Sequence, residues 1–495
     1  MLDPYFRKPM TAERTLQQQV RERLVDAILD GAAPPHEPLP STRDLAALAG
    51  VSRNTAVLVY QQLIDDGFLR SIPRRGHFID ERHLREVSAL RGDTRTASLF
   101  GAEGDAPADW EARFALNAHA QRNIEKPSDW RRYPYPFLYG QVSADDASVA
   151  RWRDAVRAAG SNRHVEAWIG DQVDGDDPML IAQILTRILP QRGIRARAEE
   201  VLVTVGSQNA LYLIAQALTR PGLRVGLEDP GYVDAFNIFR AAGAELAPLR
   251  VDGAGLIVSD RLDACDLVCV TPSHQCPTGV TLPLDRRMAL TARAREADFL
   301  VIEDDYEHEL NHIGPPRAAL KSYDTGGRVI YAGSLTKTLF PGLRLGFVVA
   351  APALIEELRA LRRLMYRHPP ALDQRAMAIF MAEGHLDAHV RRTRARLAAR
   401  WTRCMAEISA RMPEAELRAT SGGSAIWLRL PGGLDARAVA QAARARGVLV
   451  EPGDVHYLRE APPVDRLRLG FAAIPLDRIA PGIAQLADAV REVAG

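Results

Sequence analysis

The stretch best equipped for chemistry is Tyr331-Ala-Gly-Ser334-Leu-Thr336-Lys337-Thr-Leu-Phe-Pro341-Gly342-Leu-Arg344-Leu-Gly346. An apolar run, Val329-Ile330, precedes it, and another, Phe347-Val348-Val349-Ala350, follows; both read as buried strands. Pro341-Gly342 marks a turn between them. A lysine held among small hydroxyl residues at the end of a buried strand is desolvated. Desolvation lowers an ammonium pKa and makes the amine a nucleophile toward an aldehyde. Ser334, Thr336 and Arg344 are suited to hold a phosphate beside it. Together they predict a Schiff base between Lys337 and pyridoxal 5'-phosphate (PLP). An isolated Ser-x-x-Lys also reads as a surface lysine in a loop, so the rest of the chain must decide.

Other strand ends carry compatible groups. Val201-Leu-Val-Thr-Val205 is a strand followed by Gly206-Ser207-Gln208-Asn209, a junction that puts backbone N–H groups at a helix N-terminus, ready for an anion. Arg224-Val-Gly-Leu-Glu228 runs into a turn presenting Tyr232, which either lies on a flat ring or belongs to the core. Asp266-Leu-Val-Cys-Val270 leads to Thr271-Pro-Ser-His274-Gln275-Cys276-Pro277-Thr278-Gly279. Phe299-Leu-Val-Ile302 leads to Glu303-Asp304-Asp305-Tyr306. An acid at a buried strand end is costly unless paired. A protonated pyridine nitrogen is a suitable partner and would keep the ring an electron sink. His274 has no metal-ligand partner at a useful spacing, and the four cysteines (265, 269, 276 and 404) have no paired CxxC spacing, so no metal site is expected.

The elements that position these groups follow from length and pattern. At 495 residues, 47% hydrophobic, 25% charged and net charge +1, the chain has a globular profile and needs more than one domain. No run is apolar enough to span a bilayer and the N-terminus lacks a signal-peptide core, which predicts a cytoplasmic protein. From about residue 150, strands alternate with helices, implying a mainly parallel sheet covered on both faces. Ala425–Leu430 and Val448–Val450 read as strands of a smaller α+β domain.

The front of the chain has a different plan. Leu16, Val20, Leu24, Ala27 and Ile28 fall on one helical face. Ser41 or Thr42 caps a second helix, Gly50-Val51-Ser52 makes a tight turn, and Ser52 caps a third helix with Ala56, Val59, Tyr60 and Leu63 inward. Phe68–Ile72 and His77–Ile79 read as strands joined by Pro73-Arg74-Arg75-Gly76. This is the pattern of a winged helix-turn-helix, with Arg53, Asn54 and Thr55 at the end of the third helix where major-groove contacts are made. Residues 1–80 hold ten basic and ten acidic residues, so the case rests on the grouping of Arg43, Arg53, Arg70, Arg74 and Arg75. A small helical interaction domain is the alternative. Residues 81–130 read as a linker, in which Trp110 to about Ile124 is expected to form one helix packed on the next domain.

Leu39-Pro-Ser-Thr-Arg-Asp-Leu-Ala, Gly50-Val-Ser-Arg-Asn-Thr and Asp66-Gly-Phe-Leu resemble the GntR-type winged helix. By that resemblance Arg43, Ser52, Arg53, Thr55 and the wing around Gly76 contact double-stranded promoter DNA. The ordered motifs from about residue 130 onward resemble the fold type I PLP enzymes of the aspartate aminotransferase superfamily. This implies that Lys337 is the Schiff-base lysine and Asp304 the pyridine-nitrogen partner. Tyr306 would bond the phenolic oxygen and Tyr232 would stack on the ring. Ser207, Gln208, Ser334, Thr336 and Arg344 would hold the phosphate, and Arg468 a substrate carboxylate. Asp305 and Arg466 leave the acid and arginine assignments open.

Two positions depart from the superfamily. Cys276 stands where Asn-Pro-Thr-Gly is usual, and Trp168 stands in a stretch that usually offers a tyrosine to the neighbouring subunit's cofactor. With the lysine and phosphate residues kept, the domain is expected to bind PLP without efficient turnover. A GntR-like reader before an aminotransferase-like domain resembles the MocR subfamily. The expected domains are a winged helix over 1–80, a linker over 81–130 and an α/β effector domain with a smaller α+β part over 131–495. The expected function is a PLP-dependent transcriptional regulator in which a small amino compound forms an external aldimine and changes promoter binding, within a head-to-tail domain-swapped homodimer. The alternative is an active PLP-dependent aminotransferase carrying a DNA-binding domain.

Overall fold

The computed structural model describes residues 2–6, 14–30, 32–33, 37–73, 75–80, 109–138, 140, 145–313, 317–337, 339–417 and 422–495. Arg74 and the linker residues 81–108 lie outside the described residues. The chain divides into two compact units, Met1–Phe114 and Ala115–Gly495.

The first unit has helices α1 (Asp3–Phe6), α2 (Leu16–Leu29), α3 (Thr42–Ala49) and α4 (Arg53–Asp65), then strands β1 (Leu69–Ile72) and β2 (Gly76–Ile79). Local chemistry sets the helix ends. Ser41 Oγ accepts from Asp44 N, Ser52 Oγ accepts from Thr55 N, and Gly50 closes α3 in the left-handed region at φ 64°. Val20, Leu24, Ala27, Ile28, Leu45, Ala56, Val59, Tyr60 and Leu63 form the core. Leu16, expected on the inner face, is 48% exposed because it sits in the first turn of α2, beyond the packed layer. β1 and β2 pair antiparallel as a wing.

Among its described residues the second unit carries an eight-stranded sheet, a four-stranded sheet and a two-stranded pair. Its strands are β3 (Tyr135–Pro136), β4 (Val201–Thr204), β5 (Arg224–Asp229), β6 (Glu245–Asp252), β7 (Gly255–Leu256), β8 (Leu267–Val270), β9 (Leu300–Asp305), β10 (Val329–Ser334), β11 (Gly346–Val349), β12 (Glu416–Leu417), β13 (Ala425–Arg429), β14 (Val448–Leu449), β15 (Glu451–Pro452) and β16 (Arg466–Gly470). The large sheet runs β4-β11-β10-β9-β8-β5-β6-β7. β10, β9, β8, β5 and β6 are mutually parallel, while β11 runs antiparallel to both β4 and β10. Strands β4, β8, β10 and β11 are buried throughout, as a sheet covered on both faces requires. The smaller antiparallel sheet is β12-β13-β16-β15, beside a parallel β3–β14 pair. No helix among the described residues is long and apolar enough to cross a membrane.

The helix expected over Trp110 to Ile124 does not form. That stretch makes only three-residue turns, at Glu111–Arg113 and Ala118–Ala120. Trp110, Phe114 and Leu116 are all exposed, so there is no buried apolar face to stabilise an otherwise marginal helix. Within the second unit, Arg122 Nη2 donates to the Asp454 carbonyl and Asn237 Nδ2 donates to the Arg122 carbonyl, which ties the extended segment down.

Candidate functional site

The carboxyl ends of β4, β5, β8, β9 and β10 lie along one edge of the large sheet, the position where open α/β sheets take ligands. Lys337 lies three residues beyond β10, with its backbone N–H donating to Ser334 Oγ at 3.2 Å. Its Nζ stands 4.2 Å from the centroid of the Tyr306 ring. Burial lowers the Lys337 ammonium pKa and Arg468 pushes the same way, against Glu307, Asp304 and Cys276. Loss of solvation is the condition under which a lysine amine becomes a nucleophile.

Asp304 and Asp305 follow one another in β9 and so point to opposite faces. Asp305 faces a polar cluster: Arg192 Nε and the Tyr331 hydroxyl each donate to its Oδ2 at 2.8 Å. Burial works against its charge, but Arg192 prevails and holds its pKa down at about 2. Asp304 faces a small cleft that it lines with Glu228, Tyr232, Cys269 and Thr271. Its Oδ1 is buried with no hydrogen-bond partner. Burial, with Asp305 and Glu228 adding repulsion and Lys337 opposing, lifts its pKa to about 7. A buried acid with an unused oxygen, facing a cleft in range of a lysine, is what a protonated ring nitrogen would satisfy.

The other ring-side groups are held by their neighbours. The Tyr232 hydroxyl donates to Asp234 Oδ2 at 2.9 Å, and the Tyr306 hydroxyl donates to the His274 carbonyl at 2.9 Å. Cys276 is buried; its backbone N–H donates to Thr271 Oγ1, and burial raises its thiol to about 11 despite Arg468 and Lys337. The Trp168 indole N–H donates to the Ala159 carbonyl.

The phosphate-side groups gather at the start of the helix Gly206–Leu218. Its N-cap, Val205, has no side-chain acceptor for the first-turn N–H groups. Gly206 adopts φ +78°, and a Cβ there would lie 3.0 Å from Arg344 Nη2. Arg344, itself left-handed at φ 52°, donates to the Val205 carbonyl at 3.5 Å. Ser207 is half-buried and Gln208 exposed in that first turn; Ser334 and Thr336 are buried. Thr336 Oγ1 accepts from Leu345 N at 3.0 Å, which folds the loop back and brings Arg344 toward Gly206. Uncapped backbone N–H groups and the Arg344 guanidinium meet at this helix start, where glycine leaves room for the guanidinium. The donors are of the kind that hold a phosphate, and the unused Asp304 oxygen is of the kind that takes the ring nitrogen's proton of PLP.

Arg468 and Arg466 are two apart on β16. Arg466 is engaged with Asp465 at 2.8 Å, while Arg468 is buried in charge range of Lys337 and Cys276. The sequence missed the supports behind the site: Arg192, Tyr331, and the Glu228–Thr271–Gln275 network, in which Thr271 Oγ1 donates to Glu228 Oε2 at 2.6 Å. In the first unit, Arg43, Ser52, Arg53, Asn54, Arg75 and Gly76 are exposed and Thr55 is half-buried.

Comparison with known proteins bears on both units. Residues 153–486 match the family described as aminotransferase class I and II, and residues 16–79 match the gntR family of bacterial regulatory proteins. The chain is 38% identical to the HTH-type transcriptional regulator TauR of Rhodobacter capsulatus, over 99% of both chains. It is 30% identical to the probable rhizopine catabolism regulatory protein MocR of Rhizobium meliloti, over 97% of this chain and 94% of that one. Among solved structures, the kynurenine aminotransferase of Pyrococcus horikoshii superposes with a TM-score of 0.70 at 26% identity, covering 78% of this chain and 98% of its own.

Proposed function

We infer the function from a family membership: the chain belongs to the MocR group of transcriptional regulators, in which a gntR-family DNA-binding domain precedes a class I and II aminotransferase domain. We propose that residues 1–80 read promoter DNA and that residues 131–495 bind PLP and respond to a small amino compound. The observation that carries this is the buried, unpartnered Asp304 Oδ1 in charge range of Lys337, on the same chain as a winged helix. Bound PLP would supply an aldehyde that condenses reversibly with an amine. Asp304 would hold the ring nitrogen's proton, and Tyr232 and Tyr306 would flank the ring. Arg344, Ser334, Thr336, Ser207 and Gln208 would hold the phosphate, and Lys337 would be the resident amine that the effector's amine replaces. Arg468 would take an acid group on the effector. Cys276 leaves the ring oxygen without the amide donor of the aminotransferase pattern, which favours sensing over turnover.

A homodimer is part of the proposal. Ile169 is 73% exposed and Leu364 85%, and the Asp171–Arg367 ion pair links their segments, leaving an apolar patch suited to a second copy. A regulator that reads promoter DNA works in the cytoplasm.

The test begins with the purified chain. Borohydride reduction should leave a covalent PLP adduct on Lys337, found by peptide mass spectrometry and absent from Lys337→Ala. Promoter binding should change when amino compounds are added to wild type and stay constant in Lys337→Ala. An absent adduct removes PLP from the account. Repeated turnover of amino acid with keto acid would identify an aminotransferase instead.

A further inference from the structure

Helix α4 is occupied on one side and open on the other. Ala56, Val59, Tyr60 and Leu63 supply its core face. Arg53, Asn54, Val57, Leu58, Gln61 and Gln62 are exposed. Val57 is 44% and Leu58 52% exposed, and they are the exposed large apolar side chains among the described residues of 37–80. Single surface apolar residues need no explanation. Here two adjacent ones share the outward face with Arg53 and Asn54, at the helical spacing i, i+4. The far end of the face has the opposite character: Gln61 Nε2 donates to Asp65 Oδ1, and Asp66 pairs with Arg21. Acids repel DNA phosphates, so only the first half of α4 suits the groove.

We propose that Val57 and Leu58 read thymine 5-methyl groups in the major groove, a reading that rests on α4 being the DNA-reading helix. The thymine methyl is the apolar feature of the major-groove edge, and Arg and Asn side chains suit guanine and adenine beside it. Four residues of helix advance about 6 Å, and base pairs are about 3.4 Å apart along a strand. The thymines therefore lie about two steps from the bases met by Arg53 and Asn54. The half-site has thymine there because a cytosine at the same place offers Val57 and Leu58 a polar edge with no methyl.

The experiment uses the full chain. Duplexes that it binds are selected from a random pool, and each thymine in the protected region is replaced in turn by deoxyuridine, which removes only the methyl. One or two thymines should lose roughly three- to fivefold in affinity, the scale of one buried methyl group. Val57→Ala or Leu58→Ala should erase the thymine–uracil difference at its own position, and Arg53→Ala should weaken binding to every duplex. Equal affinity for thymine and uracil at every position overturns the proposal, as do Ala variants that change self-association and leave the difference intact. If Arg53→Ala binds like wild type, or no duplex is selected, α4 is not the reader and the premise fails with the inference.

Discussion

Arg192 Nε lies 2.8 Å from Asp305 Oδ2, both side chains fully enclosed, on the face of β9 opposite the Asp304 cleft. Two adjacent acids thus differ: Asp305 is engaged through Oδ2 by Arg192 and Tyr331, and Asp304 is the one proposed to face the cofactor. Asp305→Asn strands a buried guanidinium and should cost about 3–5 kcal/mol of stability, read from urea unfolding. Asp304→Asn should leave the urea midpoint close to wild type and weaken PLP retention at least about tenfold, the scale of one charge-assisted hydrogen bond, read by equilibrium dialysis.

Glu228 gives a pH signature. Burial lifts its pKa to about 7, against hydrogen bonds from Thr271 and Gln275. In the unfolded chain it titrates at about 4.3. The native state therefore holds a proton that the unfolded state has released, a stabilisation complete below about pH 4.3 and lost as pH rises through about 7. Glu228→Gln is always neutral. Relative to this variant, wild type should lose about 3 kcal/mol between pH 4 and pH 8, measured as the pH dependence of the difference in unfolding free energy.

The proposed phosphate cradle depends on the absence of a side chain. A Cβ at Gly206 would press on the Arg344 guanidinium at 3.0 Å, from a backbone at φ +78°. Gly206→Ala should cost about 1–2 kcal/mol in folding from the left-handed backbone and also weaken PLP binding by displacing Arg344. At Gly346 the added carbon would meet the Gly206 backbone at 2.7 Å, which cannot swing aside. Gly346→Ala should therefore be the more damaging of the two in thermal unfolding.

Local chemistry was the legible part. Ser41 and Ser52 cap their helices by bonds that span three residues, and Gly50 closes α3, so the front of the chain could be read from neighbours alone. The buried strands on either side of Lys337 were legible because two apolar runs and Pro341-Gly342 mark them. What stayed hidden was long-range pairing. Arg192 meets Asp305 across 113 residues and Arg344 meets Val205 across 139, and no periodicity encodes either. Asp304 and Asp305 were indistinguishable in sequence because their roles depend on which sheet face Arg192 occupies. Trp110 to Ile124 misled for the converse reason: apolar residues were present, but Trp110, Phe114 and Leu116 stay exposed and only Ile124 packs on a core.

Leu364 tests the dimer. It is 85% exposed near the end of the helix Pro352–Tyr366, beside Met365 at 51%. Arg367 and His368, just beyond, pair with Asp171, so this helix end and the Ile169 loop form one surface. Apolar exposure on this scale is costly in water unless a partner covers it. Because the side chain touches little in its own chain, Leu364→Asp should leave the unfolding midpoint within about 0.5 kcal/mol of wild type, as for an ordinary surface substitution. In a second copy's interface the same change would bury a charge without a partner. Light scattering should then show dimer for wild type and monomer for Leu364→Asp at equal concentration; an unchanged mass would place the contact between copies elsewhere.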